Sequence, residues 1–200
     1  VTEELAEEVM QQVQRRLKPE DMEDAAAIRH AVHDAVAALI PTDESAVPAI
    51  REFLDKNLDM DFTAVKGGKQ LGHDSFRAAM IDALQKIGGP EASDASLHAL
   101  QTTADALENA MLAKYLEQQA PGQYRETTLA AAREALAEAA AGNGGKRDLN
   151  PLFEFLQKYG DASVVADLEK AAANWNQYAA MALAGLPDGA GVPALIRLAE

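Results

Sequence analysis

Three turns in this chain superimpose residue by residue, and that repetition restricts the fold more than any other feature. Asp43, Asp161 and Asp188 each stand four residues ahead of a valine, Val47, Val165 and Val192. The next position holds Pro48, Ala166 or Pro193, and three residues beyond each valine comes Ile50, Leu168 or Leu195. Asp161 and Asp188, Val165 and Val192, and Leu156 and Leu183 are all 27 residues apart. An aspartate side chain can accept the unpaired N–H groups at a helix start, and proline suits the first helical turn. Each turn is therefore expected to open a return helix. A helical hairpin cannot cover its own apolar stripe, so repeated hairpins must stack on their neighbours.

The composition agrees with an all-α chain. Apolar residues make up 48% and aromatics only 5%, which leaves alanine, leucine and valine to do most of the packing. Alanine leads the helix scale and is depleted in strands. Thr2 is placed to cap a first helix, whose stripe of Leu5, Val9, Val13 and Leu17 ends at Pro19. A second helix carries Ile28, Val32, Ala35, Val36 and Leu39, and after Pro41 a third carries Val47, Ile50, Phe53 and Leu54. Residues 58–73, with Gly67, Gly68 and Gly72, read as an inserted loop. The unit then recurs: a helix over Phe76–Ile87, a turn at Gly88-Gly89-Pro90-Glu91, and a return helix marked by Leu97, Leu100 and Thr103. The next runs from Leu107 to Leu116, turns at Ala120-Pro121-Gly122 and returns over Tyr124–Ala141. Residues 142–149 read as a flexible joint, and Asn150-Pro151 as a helix start leading to a turn at Gly160-Asp161. Last, residues 175–186 pair with a helix beginning near Ala190.

The segment Ala78-Ala79-Met80-Ile81-Asp82-Ala83-Leu84 with Gly88-Gly89-Pro90-Glu91-Ala92 resembles a HEAT repeat. So does Tyr178-Ala179-Ala180-Met181-Ala182-Leu183 with Asp188 and Val192-Pro193-Ala194-Leu195. The likeness is to the short HEAT-like repeats common in bacterial proteins. It implies a single repeat domain over residues 1–200, a right-handed α-solenoid of about five degenerate hairpins plus an additional N-terminal helix. The chain departs from the family pattern in its uneven unit lengths, its loop and its glycine-rich joint. HEAT-like arrays act mostly as protein-binding scaffolds, so the resemblance implies a non-enzymatic interaction module. Return helices line the concave face of such a stack. The expected partner-binding residues there are Arg51, Lys56, His98, Gln101, Arg133, Asp167 and Lys170. Trp175 and Tyr178, conspicuous in an aromatic-poor chain, serve either packing between units or a partner contact. Two alternatives stand beside this reading: a HEAT-like lyase or ligand carrier, and a structural spacer between domains.

Charge narrows the partner. With 18 Lys+Arg against 32 Asp+Glu the formal charge is −14, so a neutral or basic polypeptide is expected and nucleic acid and anionic membranes are not. The longest basic cluster, Arg15-Arg16-Leu17-Lys18, closes a helix whose first turns hold Glu3, Glu4, Glu7 and Glu8, which complements the helix dipole. The chain has no cysteine, which excludes disulfides and thiolate chemistry. It holds no 18-residue apolar run, so no membrane-spanning helix is expected. It begins at Val1 and ends at Glu200 inside a helical pattern, as a segment of a longer protein would.

No cofactor or metal site is expected. His30 and His33 with Asp34 lie off the apolar stripe of their helix and lack a third strong ligand. His73 and His98 stand isolated, and Gly67-Gly68-Lys69 lacks the first glycine and the Ser/Thr of a phosphate loop. Glu20, Asp21, Glu134 and Glu138 fall in first turns or on polar faces, where solvation and the helix dipole place them without any chemistry.

Overall fold

The computed structural model of the chain describes residues 43–56, 59, 61, 72–143 and 148–199. The first two expected helices, His30, His33 and Gly67-Gly68-Lys69 lie outside them. The described residues form eight α-helices and short 3₁₀ or π turns, with an isolated bridge between Asp61 and Ser75. No described helix is long and apolar enough to cross a membrane. Two compact units meet at Ala99 and Leu100 in sequence, and each is described by itself.

In the first unit the Asp43 carboxylate accepts the Ser45 N–H at 2.9 Å. A 3₁₀ turn, Glu44–Ala46, leads into α1, Val47–Asp55. Val47, Ile50, Phe53 and Leu54 are all buried, as the stripe predicts. The Ser75 hydroxyl caps α2, Phe76–Ile87, by accepting the Ala78 N–H at 3.2 Å. Phe76 packs edge-to-face on Phe53, with ring centroids 5.0 Å apart at 81°. The buried Arg77 guanidinium donates to the Leu54 carbonyl at 2.8 Å, satisfying a group left open at the end of α1. The Arg77 N–H donates to Asp59 at 3.0 Å, so the expected loop is tied to α2 at that point.

The turn after α2 is tighter than the sequence predicts. Gly88 and Gly89, at φ +68° and +82°, make it between them, and α3, Gly89–Thr102, takes Pro90 into its first turn. The buried face of α3 is made of small residues, Ala92, Ala95, Ser96 and Ala99, with Leu100. Leu97 is only half-buried, and Thr103 lies beyond the helix end.

In the second unit α4, Ala106–Gln119, is buried almost all round; Lys114, Gln118 and Gln119 alone are exposed. It packs against both α5, Arg125–Glu138, and α6, Asn150–Tyr159. Such a two-sided position explains why the polar side chains of Glu108, Asn109 and Glu117 are buried. The Glu117 carboxylate accepts the N–H of Gly122, a turn residue at φ +79°, at 3.1 Å, and lies 3.2 Å from the Thr128 hydroxyl. After α5 the chain makes a π turn, Ala139–Asn143, so the first two residues of the expected joint are helical. Asp148 accepts the Asn150 N–H at 2.9 Å and starts α6 with Pro151 in its first turn. The long α7, Val165–Gly185, contains one residue out of helical conformation, Trp175 (φ −133°, ψ 52°). That break divides it into the two segments the sequence predicts. The last helix, α8, is Val192–Ala199.

Burial follows the repeat in two of the three turns. Counting from Asp43, Ala46, Ile50, Phe53 and Leu54 are buried, and the same positions after Asp161, Val164, Leu168, Ala171 and Ala172, are buried too; the valines differ, Val47 being buried and Val165 half-buried. At the 27-residue offset, Leu152, Phe155 and Leu156 match Ala179, Ala182 and Leu183, buried throughout. The third turn departs. Asp188 does not cap α8; it sits inside a 3₁₀ turn at φ +55°. Ala194, not Leu195, is the buried residue of α8. The cause lies at Gly191, where a Cβ would fall 2.1 Å from the Leu183 carbonyl oxygen. The start of α8 thus rests directly on the backbone of α7 and takes a different register.

The second aspartate does act as a cap, accepting the Ser163 N–H at 2.8 Å. The Ser163 side chain and N–H hold its pKa below the usual 3.8. Asp161→Ala is expected to lower stability by about 1 kcal/mol near neutral pH. A depressed folded-state pKa means the stabilisation is complete above the ordinary value of 3.8 and is lost as pH falls through the folded value. Urea unfolding of both proteins at pH 7 and pH 3 checks this: a difference that does not shrink at the lower pH contradicts the cap.

Candidate functional site

A cleft of about 360 Å³ opens in the second unit between the end of α3, the Thr103–Asp105 connection, the start of α4 and one face of α5. Its upper wall is held by a local hydrogen-bond chain. The Asp105 carboxylate caps α4 by accepting the Leu107 and Glu108 N–H groups at 2.9 and 3.0 Å. The Thr103 hydroxyl donates to the buried Glu108 carboxylate at 2.7 Å and accepts the Asp105 N–H at 3.2 Å. The Thr103 hydroxyl and the Asp105 carboxylate thus tie the connection to the start of α4.

Leu100, Asn109 and Ala135 are the buried lining residues, and Thr103, Thr127 and Ala131 are half-buried. Around the mouth stand Gln101, Thr102, Ala130, Glu134 and Glu138, all exposed. Glu134 and Glu138 lie one helical turn apart on α5, so their carboxylates share a face. Among the described residues that line it, none is Lys, Arg or His. Asn109 is 2% exposed, and its side-chain carbonyl has no hydrogen-bond partner among the described residues. Such a buried acceptor is costly unless a donor reaches it.

The sequence-predicted residues fall into separate groups. Arg51 is exposed on α1; Lys56 pairs with Glu52 at 2.7 Å one turn away, and the His98 imidazole lies 3.0 Å from Asp55. All three belong to the first unit. Gln101 stands at the mouth of the cleft. Arg133 and Asp167 form an ion pair at 2.6 Å that ties α5 to α7, and Lys170 is exposed on α7. Exposed pairs of this kind contribute about 0.2–1 kcal/mol. Trp175 and Tyr178 meet through Phe153, whose ring centroid is 6.3 Å from the indole and 5.8 Å from the phenol ring stacked on it. The indole is half-buried and Tyr178 is 39% exposed.

Sequence reasoning missed two features. One is the exposed apolar set of Met181, Val192 and Ile196 on α7 and α8, at 54%, 49% and 57%. The other is the cleft itself. Its two signals were an asparagine set among Ala106, Ala110 and Ala113 of an otherwise apolar face, and three alanines, Ala130, Ala131 and Ala135, that leave α5 shallow on one side.

No family model, curated protein or solved structure matches this chain.

Proposed function

We propose that the chain is a non-enzymatic interaction module, a right-handed α-solenoid of about five HEAT-like hairpins that holds a neutral or basic polypeptide. The solenoid reading draws on the shared burial pattern after Asp43 and Asp161 and on the 27-residue match of α6 with the second half of α7. The binding reading is carried by one observation: an open cleft with Glu134 and Glu138 exposed at its mouth and no Lys, Arg or His among its described lining residues. A net charge of −14 adds a long-range attraction for a cationic partner and repels acidic ones.

Fluorescence anisotropy with dye-labelled peptides of matched length tests this reading. Lysine-containing peptides are expected to bind with one-to-one stoichiometry and micromolar affinity, more weakly as salt rises, and acidic peptides not to bind. A second acidic protein of similar charge serves as the reference for non-specific attraction. If no peptide binds the chain better than it binds that reference, the polypeptide reading fails. A second reading, a carrier of a small ligand, is favoured by the size of the cleft, which lies at the lower end of the range for small-molecule sites.

A further inference from the structure

We propose that the hairpin formed by the second half of α7 with α8 is a self-association face, on which a second copy of this chain docks about a two-fold axis. The inference goes beyond the cleft and does not depend on it.

Charge carries the argument. Between Ala171 and Ile196 the single charged residue is Asp188, in a chain of which 25% is charged. Glu169 and Arg197 border the hairpin and neutralise one another, the guanidinium donating to both carboxylate oxygens at 2.7 and 2.8 Å. Over residues 150–199 five acidic and three basic side chains leave a balance of −2, against −14 for the whole chain. Two copies therefore repel one another least when these faces meet. A cationic partner gains little from so neutral a face, whereas a second copy brings the same neutral face to the contact.

The side chains there suit the centre of a homodimer interface, which is apolar, enriched in Tyr and Met and depleted of charge. Val192 and Ile196 stand two residues before and two after Ala194, the buried residue of α8, and so on the opposite side of that helix. Both are exposed. Tyr178 and Met181, also exposed, lie three apart on α7 beyond the break at Trp175 and share a face. The two helices are in direct contact, with Gly191 set on the Leu183 backbone. Phe153 stacks on the Tyr178 ring at 5.8 Å, which leaves that side chain little freedom to lose on docking. Beside Tyr178 the exposed Asn176 and Gln177 carry amides, each both donor and acceptor, so like can pair with like across the axis.

Sedimentation velocity of the full chain over a rising concentration series, at low and at high sodium chloride, tests the inference. The mass is expected to move from that of one chain to that of two, and to do so at lower protein concentration in high salt, where the repulsion left between anionic chains is screened. Binding of cationic peptides weakens with salt instead, so the two readings fail separately. Ile196→Glu and Met181→Glu, each at an exposed position, are expected to weaken dimerisation about tenfold or more, because an isologous contact buries every new carboxylate twice. Lys114→Gln, at an exposed position of α4, shifts the net charge by the same amount and is expected to stay within about twofold of the parent. Melting temperatures accompany each variant. Where a glutamate variant melts early, the neutral Ile196→Gln decides, with an expected weakening of about threefold or more.

A single-chain mass at every concentration in high salt overturns the inference. So does a dimer that salt dissociates, one that none of the face variants weakens, or one that Lys114→Gln weakens as much as they do. Growth beyond two copies overturns the two-fold pairing.

Discussion

Phe76→Ala is expected to lower the unfolding free energy by about 3–5 kcal/mol, the usual effect of removing a phenyl ring from a closed core. Phe76 is 1% exposed and meets the Phe53 ring edge-to-face at 5.0 Å. The loss therefore combines the transferred ring, the cavity left behind and an aromatic pair contributing about 0.5–1.5 kcal/mol beyond its area. Its position aggravates the effect. As the first residue of α2, directly after the Ser75 cap, it fixes where that helix docks on α1. Phe76→Leu keeps most of the apolar volume and is expected to lose less than half as much. Urea unfolding monitored by circular dichroism gives both values, and an alanine variant within 1 kcal/mol of the parent contradicts the packing described.

Leu156→Ala and Leu183→Ala are expected to cost about 2–5 kcal/mol each, and the more informative quantity is how far the two agree. These residues occupy matching positions of the 27-residue repeat, on α6 and on the second half of α7, and are 0% and 1% exposed. If the hairpins are copies of one packing unit, the two losses agree to within about 1 kcal/mol, because the same side chain leaves the same kind of site. Both leucines have a glycine set against their carbonyl: a Cβ at Gly160 would fall 2.2 Å from the Leu156 oxygen and one at Gly191 2.1 Å from the Leu183 oxygen. A cost near zero at either position removes the equivalence.

Met181, Val192 and Ile196 form an exposed apolar set on α7 and α8, at 54%, 49% and 57% exposure.

Much of this could be read before any coordinates. The helix Phe76–Ile87 is recovered to the residue, and Asn150 begins a helix where the sequence predicts. Caps, prolines and glycines act within a few residues of themselves, so their signals survive in the one-dimensional string. Periodic leucines and valines likewise declare which side of a helix faces inward. The residues at the cleft were legible only as types. Glu134 and Glu138 looked like an ordinary solvated face.

What the chain determined by itself, then, is its helical content, the start of most described helices and the repeating turn at Asp43 and Asp161, all products of local hydrogen bonding and side-chain periodicity. The tertiary structure alone decided that α4 is enclosed on both sides, burying Glu108, Asn109 and Glu117, that Gly191 seats α8 on α7 and cancels the third cap, and that α3 and α5 part to leave a cleft. The physical reason is distance along the chain. Burial and cavity shape depend on which helices meet, and no pattern inside one helix records its neighbours.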